Sequence, residues 1–356
     1  MKFSLLYELQ IADPTPSAEA ALFHHCLEQA RLAEQLGYHG IWAVEHHGLY
    51  EYSHSSAPEV FLAFVAANTS RIRVGHGVTL LPHRYNHPIR VAERVATLDI
   101  LSNGRVDFGT GKSSSLVEQA AFELDPGTLH DQWLEALGAI VGMWQRDVFE
   151  LDGRHLRIPP TQVVPKPVQD PHPPLFAACT KPESAASVGR LGLGALNFAA
   201  GSDDYLAQKV ADYRAAIANA APIGRRVTNH FACTPPALVL DDDRQACRYG
   251  FRGARFFSEA LNRYYLGGGR PLGRLPIARD FWSDSELEAA RRVRNTPQDQ
   301  LNVLCGDPSF ARDYVQRFVE LGVDELICVM QMGTVPHELV LQSIRTFGEK
   351  VLPHFA

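Results

Sequence analysis

Paired cysteines, a basic excess and long apolar runs are all missing from this sequence, and each absence argues against a class of protein. The six cysteines (Cys26, Cys179, Cys233, Cys247, Cys305 and Cys328) lie far apart without a Cys-x-x-Cys pair, which fits reduced core thiols better than zinc ligands or disulfides. The fifteen histidines form no His-Glu-x-x-His, so no metal site is expected. Lys and Arg number 34 against 40 Asp and Glu, a net charge of -6, whereas a chain that coats nucleic acid needs a basic excess. No stretch reaches the roughly 20 apolar residues of a bilayer-spanning helix. The apolar run after Met1-Lys2 is stopped by Glu8 before it is long enough for a signal peptide. A cytoplasmic protein with neither nucleic acid nor membrane as partner is expected.

What is present suits a single large core: 356 residues, 46% of them hydrophobic. Along the chain, short apolar segments alternate with segments of helical periodicity. Lys2 to Leu9 reads as a strand, and Thr15-Pro16 supplies an N-cap and a first-turn proline for a helix that Gly37 ends. Strands at 40–44, 72–81, 106–109, 175–178, 195–198, 230–234 and 325–330 follow, with helices at 58–68, 87–101, 129–144, 183–191 and 203–219 among them. Apolar strands without polar alternation are covered on both sides. About eight such units predict an α/β fold, a (β/α)8 TIM barrel forming one domain over 1–356.

Two interruptions stand out. Val148 to Ile158 carries Asp152-Gly153 between alternating residues and predicts a β-hairpin, followed by a proline-rich connector over 159–174. The second, about 241–302, predicts a long helix to Leu266, a glycine run at 267–269 and another helix over 284–294, an excursion of the kind that covers barrel mouths.

Barrel chemistry sits at the carboxyl ends of the strands. After the second strand comes Glu45-His46-His47, two imidazoles and a carboxylate at the mouth. The third strand holds Gly75 and Gly77, which suggest a bulge, the close approach of a flat ligand, or a packing bend. The fourth ends in Gly109-Thr110-Gly111-Lys112-Ser113-Ser114-Ser115. A phosphate loop of the Walker type fails there because Val106 stands where its first glycine is needed. What remains is a small-residue loop with one cation. After the fifth, Cys179-Thr180-Lys181-Pro182-Glu183-Ser184 opens a helix that either rests a phosphate on its free donors or is simply capped by Thr180.

Together these segments resemble the bacterial luciferase-like flavin-dependent monooxygenases. The resemblance is carried by Ala43 to His47, Ile72 to Pro82, His87 to Glu93, Leu98 to Arg105 and Gly306-Asp307-Pro308. It implies reduced FMN from a separate flavin reductase, dioxygen and a small organic substrate, in a homodimer paired through helices such as 58–68. It further implies a proton-transfer or orienting role for His46, supported by His47 and Glu45. A cis peptide at Gly77–Val78 would lie beneath the flavin, Ser114 and Ser115 along it, and Lys112, Thr180, Lys181 and Ser184 around its phosphate. Lys112 departs from the family's usual arginine, and Gly111 stands where some luciferases have a reactive cysteine. The alternatives are a deazaflavin-dependent oxidoreductase, a non-redox phosphate-binding barrel enzyme, and a flavin binder without turnover.

Overall fold

In the computed structural model, which describes residues 1–356 apart from positions 180, 182, 200, 268, 297, 298, 300, 301 and 356, strands and helices alternate from the first residues. The strands are β1 (Lys2–Tyr7), β2 (Gly40–Ala43), β3 (Arg73–Leu80), β4 (Val106–Gly111), β5 (Phe149–Asp152) and β6 (Arg157–Thr161). They continue with β7 (Leu175–Ala178), β8 (Gly194–Phe198), β9 (Phe231–Thr234), β10 (Ala237–Val239), β11 (Leu304–Gly306) and β12 (Glu325–Cys328). The helices are α1 (Pro16–Gln35), α2 (Pro58–Ala67), α3 (Pro88–Leu101), α4 (Leu116–Ala121), α5 (Leu129–Gln145) and α6 (Ser184–Arg190). Then come α7 (Asp203–Ile217), α8 (Asp243–Tyr265), α9 (Asp284–Val293), α10 (Pro308–Glu320) and α11 (His337–Lys350).

Local chemistry sets the helix starts. Thr15 accepts from the Ala18 amide with Pro16 in the first turn, Ser202 caps α7, and Asp307 caps α10 ahead of Pro308. Strands β1, β2, β3, β4, β7, β8, β9 and β12 close in that order into a parallel barrel, which is the predicted TIM fold. Their side chains are buried almost throughout, as parallel strands under a jacket of helices require.

Buried charges pin the connections. Arg105, just before β4, donates to the carbonyls of Ser102 (2.6 Å), Ile72 (2.7 Å), Ala66 (2.9 Å) and Thr69 (3.1 Å) and to the Thr69 hydroxyl (3.0 Å). The fully buried Asp99 accepts from the amides of Val168 (2.8 Å) and Gln169 (3.0 Å), which fastens the proline-rich connector to α3. The Ser102–Arg105 run turns through Asn103 and Gly104, both at positive φ. At the amino-terminal end of the barrel Glu325 accepts from His230 (2.7 Å) and Ser4 (2.5 Å). Burial by itself would raise its pKa; the bonds from His230 and Ser4 outweigh that and hold it down to about 2.

Three features add to the sequence reading. The expected hairpin is present as β5–β6, with its turn at 153–156. Asp152 pairs with Arg157, and the Glu135 carboxylate of α5 takes the amides of Arg154 (2.6 Å) and His155 (3.0 Å), so a tertiary anchor holds the turn. The flat group lying against Gly75 is the chain's own Trp42: a Cβ at Gly75 would come within 2.3 Å of its indole. Finally, the ends of the 241–302 insertion are tied by a parallel pair, β10 with β11, that the sequence did not suggest.

Candidate active site

Two strand ends and two helices meet around His46, which follows β2. Its Nδ1 lies 3.1 Å from Glu118 Oε1, and its Nε2 3.7 Å from Glu8 Oε2. The Tyr265 hydroxyl sits 3.1 Å and 3.2 Å from its two ring nitrogens. Glu8 follows β1, Glu118 belongs to α4 behind the β4 loop, and Tyr265 is the last residue of α8. The 241–302 insertion therefore reaches the barrel mouth. It is also fastened there: Glu51, fully buried, accepts from Arg279 (3.0 Å) and the Leu275 amide (2.5 Å).

The electrostatics follow from this crowding of carboxylates. Burial alone would lower the His46 pKa; Glu118 at hydrogen-bond distance, with Glu8 and Glu45 beyond it, outweighs burial and raises it. Burial pushes the Glu8 carboxyl up to about 7, against the lowering pull of His46 and of the Tyr52 hydroxyl, which donates to Oε1 at 3.0 Å. Its other oxygen is buried without a hydrogen-bond partner among the described residues. Burial thus favours the protonated Glu8 carboxyl, while the Glu118 charge favours the protonated imidazole of His46.

A raised acid pKa favours folding at low pH. The Glu8 contribution to stability is fully present below its ordinary pKa of 4.5 and is lost as the pH rises through about 7. Glu8→Gln is therefore expected to remove one ionisation near pH 7 from the kcat/KM profile, an outcome read directly by rate measurements between pH 5 and 9. An unchanged profile would mean that Glu8 does not titrate in the working site.

His47 and Glu45 pair with each other more directly than with His46. Glu45 accepts from His47 Nε2 (3.2 Å), the Asn86 amide nitrogen (2.7 Å) and the Leu80 backbone (2.7 Å), which locks the β2 and β3 ends together. The His47 ring lies 4.9 Å from Phe122 and 5.7 Å from Tyr85. Gly77 and Val78 lie in β3 where its register with β4 shifts between His76 and Thr79, and the peptide joining them is cis, as the resemblance implied.

Lys112 and Lys181 follow neighbouring strands, β4 and β7, and are both exposed. Partial burial and the nearby Lys181 charge lower the Lys112 pKa, so the two cations converge. Ser184 accepts from the Lys181 amide at 3.1 Å. Ser114 is exposed, whereas Ser115 is buried and its hydroxyl has no partner among the described residues. Thr180 lies outside the described residues. Two converging cations and an unpaired buried hydroxyl suit an anionic, hydrogen-bonding group such as the phosphate end of a flavin nucleotide. Among the described residues no group of three or more His, Cys, Asp or Glu side chains could hold a metal ion, and no helix is long and apolar enough to cross a membrane.

Glu8, Glu118 and Tyr265 were not singled out from the sequence. Glu8 left a signal there, as a carboxylate that ends an apolar strand. Glu118 and Tyr265 reach His46 only through tertiary folding.

A family model described as luciferase-like monooxygenase matches residues 1–325. The chain is 32% identical over 189 residues to the oxygenase component of a flavin-dependent trigonelline monooxygenase of Acinetobacter baylyi, covering 52% of this chain and about half, 50%, of that relative's length. It is 34% identical over 254 residues to an F420-dependent hydroxymycolic acid dehydrogenase of Mycobacterium tuberculosis, covering 66% of this chain and 68% of that one. Among solved structures, monooxygenase RslO1 from Streptomyces bottropensis superposes with a TM-score of 0.84 at 25% identity, over 100% of both chains.

Proposed function

Because the chain belongs to the luciferase-like monooxygenase family, we propose that it is an FMN-dependent monooxygenase that inserts one oxygen atom of dioxygen into a small organic substrate. Membership supports an oxidoreductase, with a flavin-type cofactor in the family. The finer reading is carried by one observation: the protonatable His46, held by Glu118 and Glu8, shares a barrel mouth with the Lys112 and Lys181 pair. In this reading Lys112, Lys181, Thr180 and Ser184 hold the FMN phosphate, Ser114 and Ser115 lie along the cofactor, and Gly77 and Val78 lie beneath its ring. Bound and reduced, FMN supplies the two electrons that activate dioxygen.

The chain's own part is positioning and proton handling. One oxygen atom enters the substrate and the other leaves as water, which needs a proton at the departing oxygen; His46 would give it, and Glu118 at 3.1 Å favours the charged imidazole. His47, fixed by Glu45, walls the mouth beside Tyr85 and Phe122. The 241–302 segment excludes water from above as part of one domain spanning 1–356. A separate reductase delivers the reduced flavin; the relative named an oxygenase component supports such a division of labour. A homodimer belongs to the same reading, with Val60 and Phe64 of α2 left exposed as its apolar face; light scattering reads its mass.

Deazaflavin-dependent hydride transfer is the second reading, favoured by the F420-dependent relative. Titration with FMN and with F420, each followed by oxygen uptake after reduction, separates the two. FMN binding with oxygen consumption is expected, and tight binding of F420 alone would overturn the first reading. Lys112→Ala should weaken FMN binding by about tenfold, the size of one lost charge-assisted hydrogen bond. Equal affinities of mutant and wild type would remove Lys112 from the site.

A further inference from the structure

Behind the β7 strand end lies a buried cation that none of the chemistry above uses. Lys209 projects from α7 and is only 7% exposed. Its Nζ donates to the carbonyl of Cys179 at 3.0 Å and lies 5.9 Å from the centre of the Tyr205 ring. Cys179 is the residue that directly follows β7 and leads into the turn bearing Lys181 and Ser184. Its amide is in turn held by the Leu196 carbonyl of β8 at 2.8 Å. Lys209 is therefore bolted to the base of the very loop assigned above to the phosphate.

An ammonium taken out of water is expensive unless an opposite charge offsets it. Three other buried or half-buried cations have such partners or several carbonyls: Arg73 has Asp107, Arg294 has Asp243, and Arg105 has a ring of backbone oxygens, while Arg252, with one carbonyl, lies over the rings of Tyr249 and Phe281. Among the described residues no carboxylate oxygen lies within 4.0 Å of Lys209, whose Nζ donates to one neutral carbonyl. Burial accordingly lowers its pKa, with only longer-range help from the Cys179 and Cys233 thiols and from Glu183. A purely structural lysine would do better as a neutral residue in this place. A lysine makes sense where a negative group arrives from outside the chain.

We propose that Lys209 is a third, buried cation of the cofactor's phosphate site, holding the β7–α6 turn through the Cys179 carbonyl while its charge balances the bound phosphate. The inference rests on the flavin-nucleotide reading of the mouth.

The test uses FMN and riboflavin, which differ by the phosphate alone, titrated by flavin fluorescence into wild type, Lys209→Gln and Lys209→Arg. Glutamine keeps a donor for the Cys179 carbonyl and loses the charge; arginine keeps the charge. Wild type and Lys209→Arg are expected to prefer FMN. Lys209→Gln is expected to lose about tenfold of its FMN affinity with riboflavin affinity unchanged, as for one charged contact. If wild type prefers FMN and Lys209→Gln keeps that preference, Lys209 is not part of the phosphate site although the site itself stands. A parallel loss of both ligands also overturns the proposal, because a general loosening of the loop does not distinguish a phosphate. If wild type binds the two flavins equally, the phosphate site assigned above falls first, and this inference with it.

Discussion

Replacing His46 with alanine is expected to lower substrate oxygenation by about 10²–10⁴-fold, the range of general acid–base help from one side chain, while flavin binding and the fold persist. The imidazole is anchored by Glu118 at 3.1 Å, whose charge raises its pKa against the effect of burial and favours the protonated form. Were the flavin-dependent reading right, loss of this proton donor would let both oxygen atoms leave as hydrogen peroxide with none entering the substrate. A single-turnover assay with pre-reduced FMN, following product and peroxide together, reads the change as a switch from coupled to uncoupled turnover. His47→Ala serves as the contrast. Its ring is held by Glu45 and packs on Tyr85 and Phe122, so its loss should disturb binding more than coupling. Near wild-type coupling in His46→Ala would remove the proton-transfer role.

The second large effect concerns stability. Arg105→Met is expected to destabilise the protein by roughly 3–5 kcal/mol, because the carbonyls of Ala66, Thr69, Ile72 and Ser102 lose their common donor in a buried place. Arg105→Lys should recover little, since one ammonium cannot span the directions that the guanidinium fork reaches. Urea denaturation followed by far-UV circular dichroism gives the difference, and a loss under 1 kcal/mol would show that water replaces the missing donor.

Much of the barrel was legible because burial on both faces leaves a plain trace. Strands such as Leu175–Ala178 and Glu325–Cys328 are short apolar runs between helical periods, and the predicted bounds differ from the observed ones by a few residues at most. Caps were legible for the same local reason: Thr15-Pro16 and Asp307-Pro308 carry their chemistry within one turn. What escaped was long-range. Strands β10 and β11 have three residues each and pair across the whole insertion, so no neighbour in sequence announces them. The hairpin turn was decided by Glu135, which lies in another element.

The mouth shows the same division. His46 could be picked out as an imidazole directly after a strand, and Lys112 and Lys181 as cations in loops after strands. Their partners could not, because Glu118 sits in a six-residue helix and Tyr265 at the far end of a 23-residue one. Glu8 was readable in principle: a carboxylate closing the first strand occupies a mouth position as surely as Glu45 does.

The Tyr265 hydroxyl, lodged against both ring nitrogens of His46, behaves as a competitor built into the chain. Any molecule that needs the imidazole must displace a phenol that is always present, tethered at high effective concentration by the anchored insertion. The KM of such a molecule is expected to contain the free energy of displacing the phenol, so that weak or undersized molecules would leave it in place while a well-matched one would uncover the imidazole.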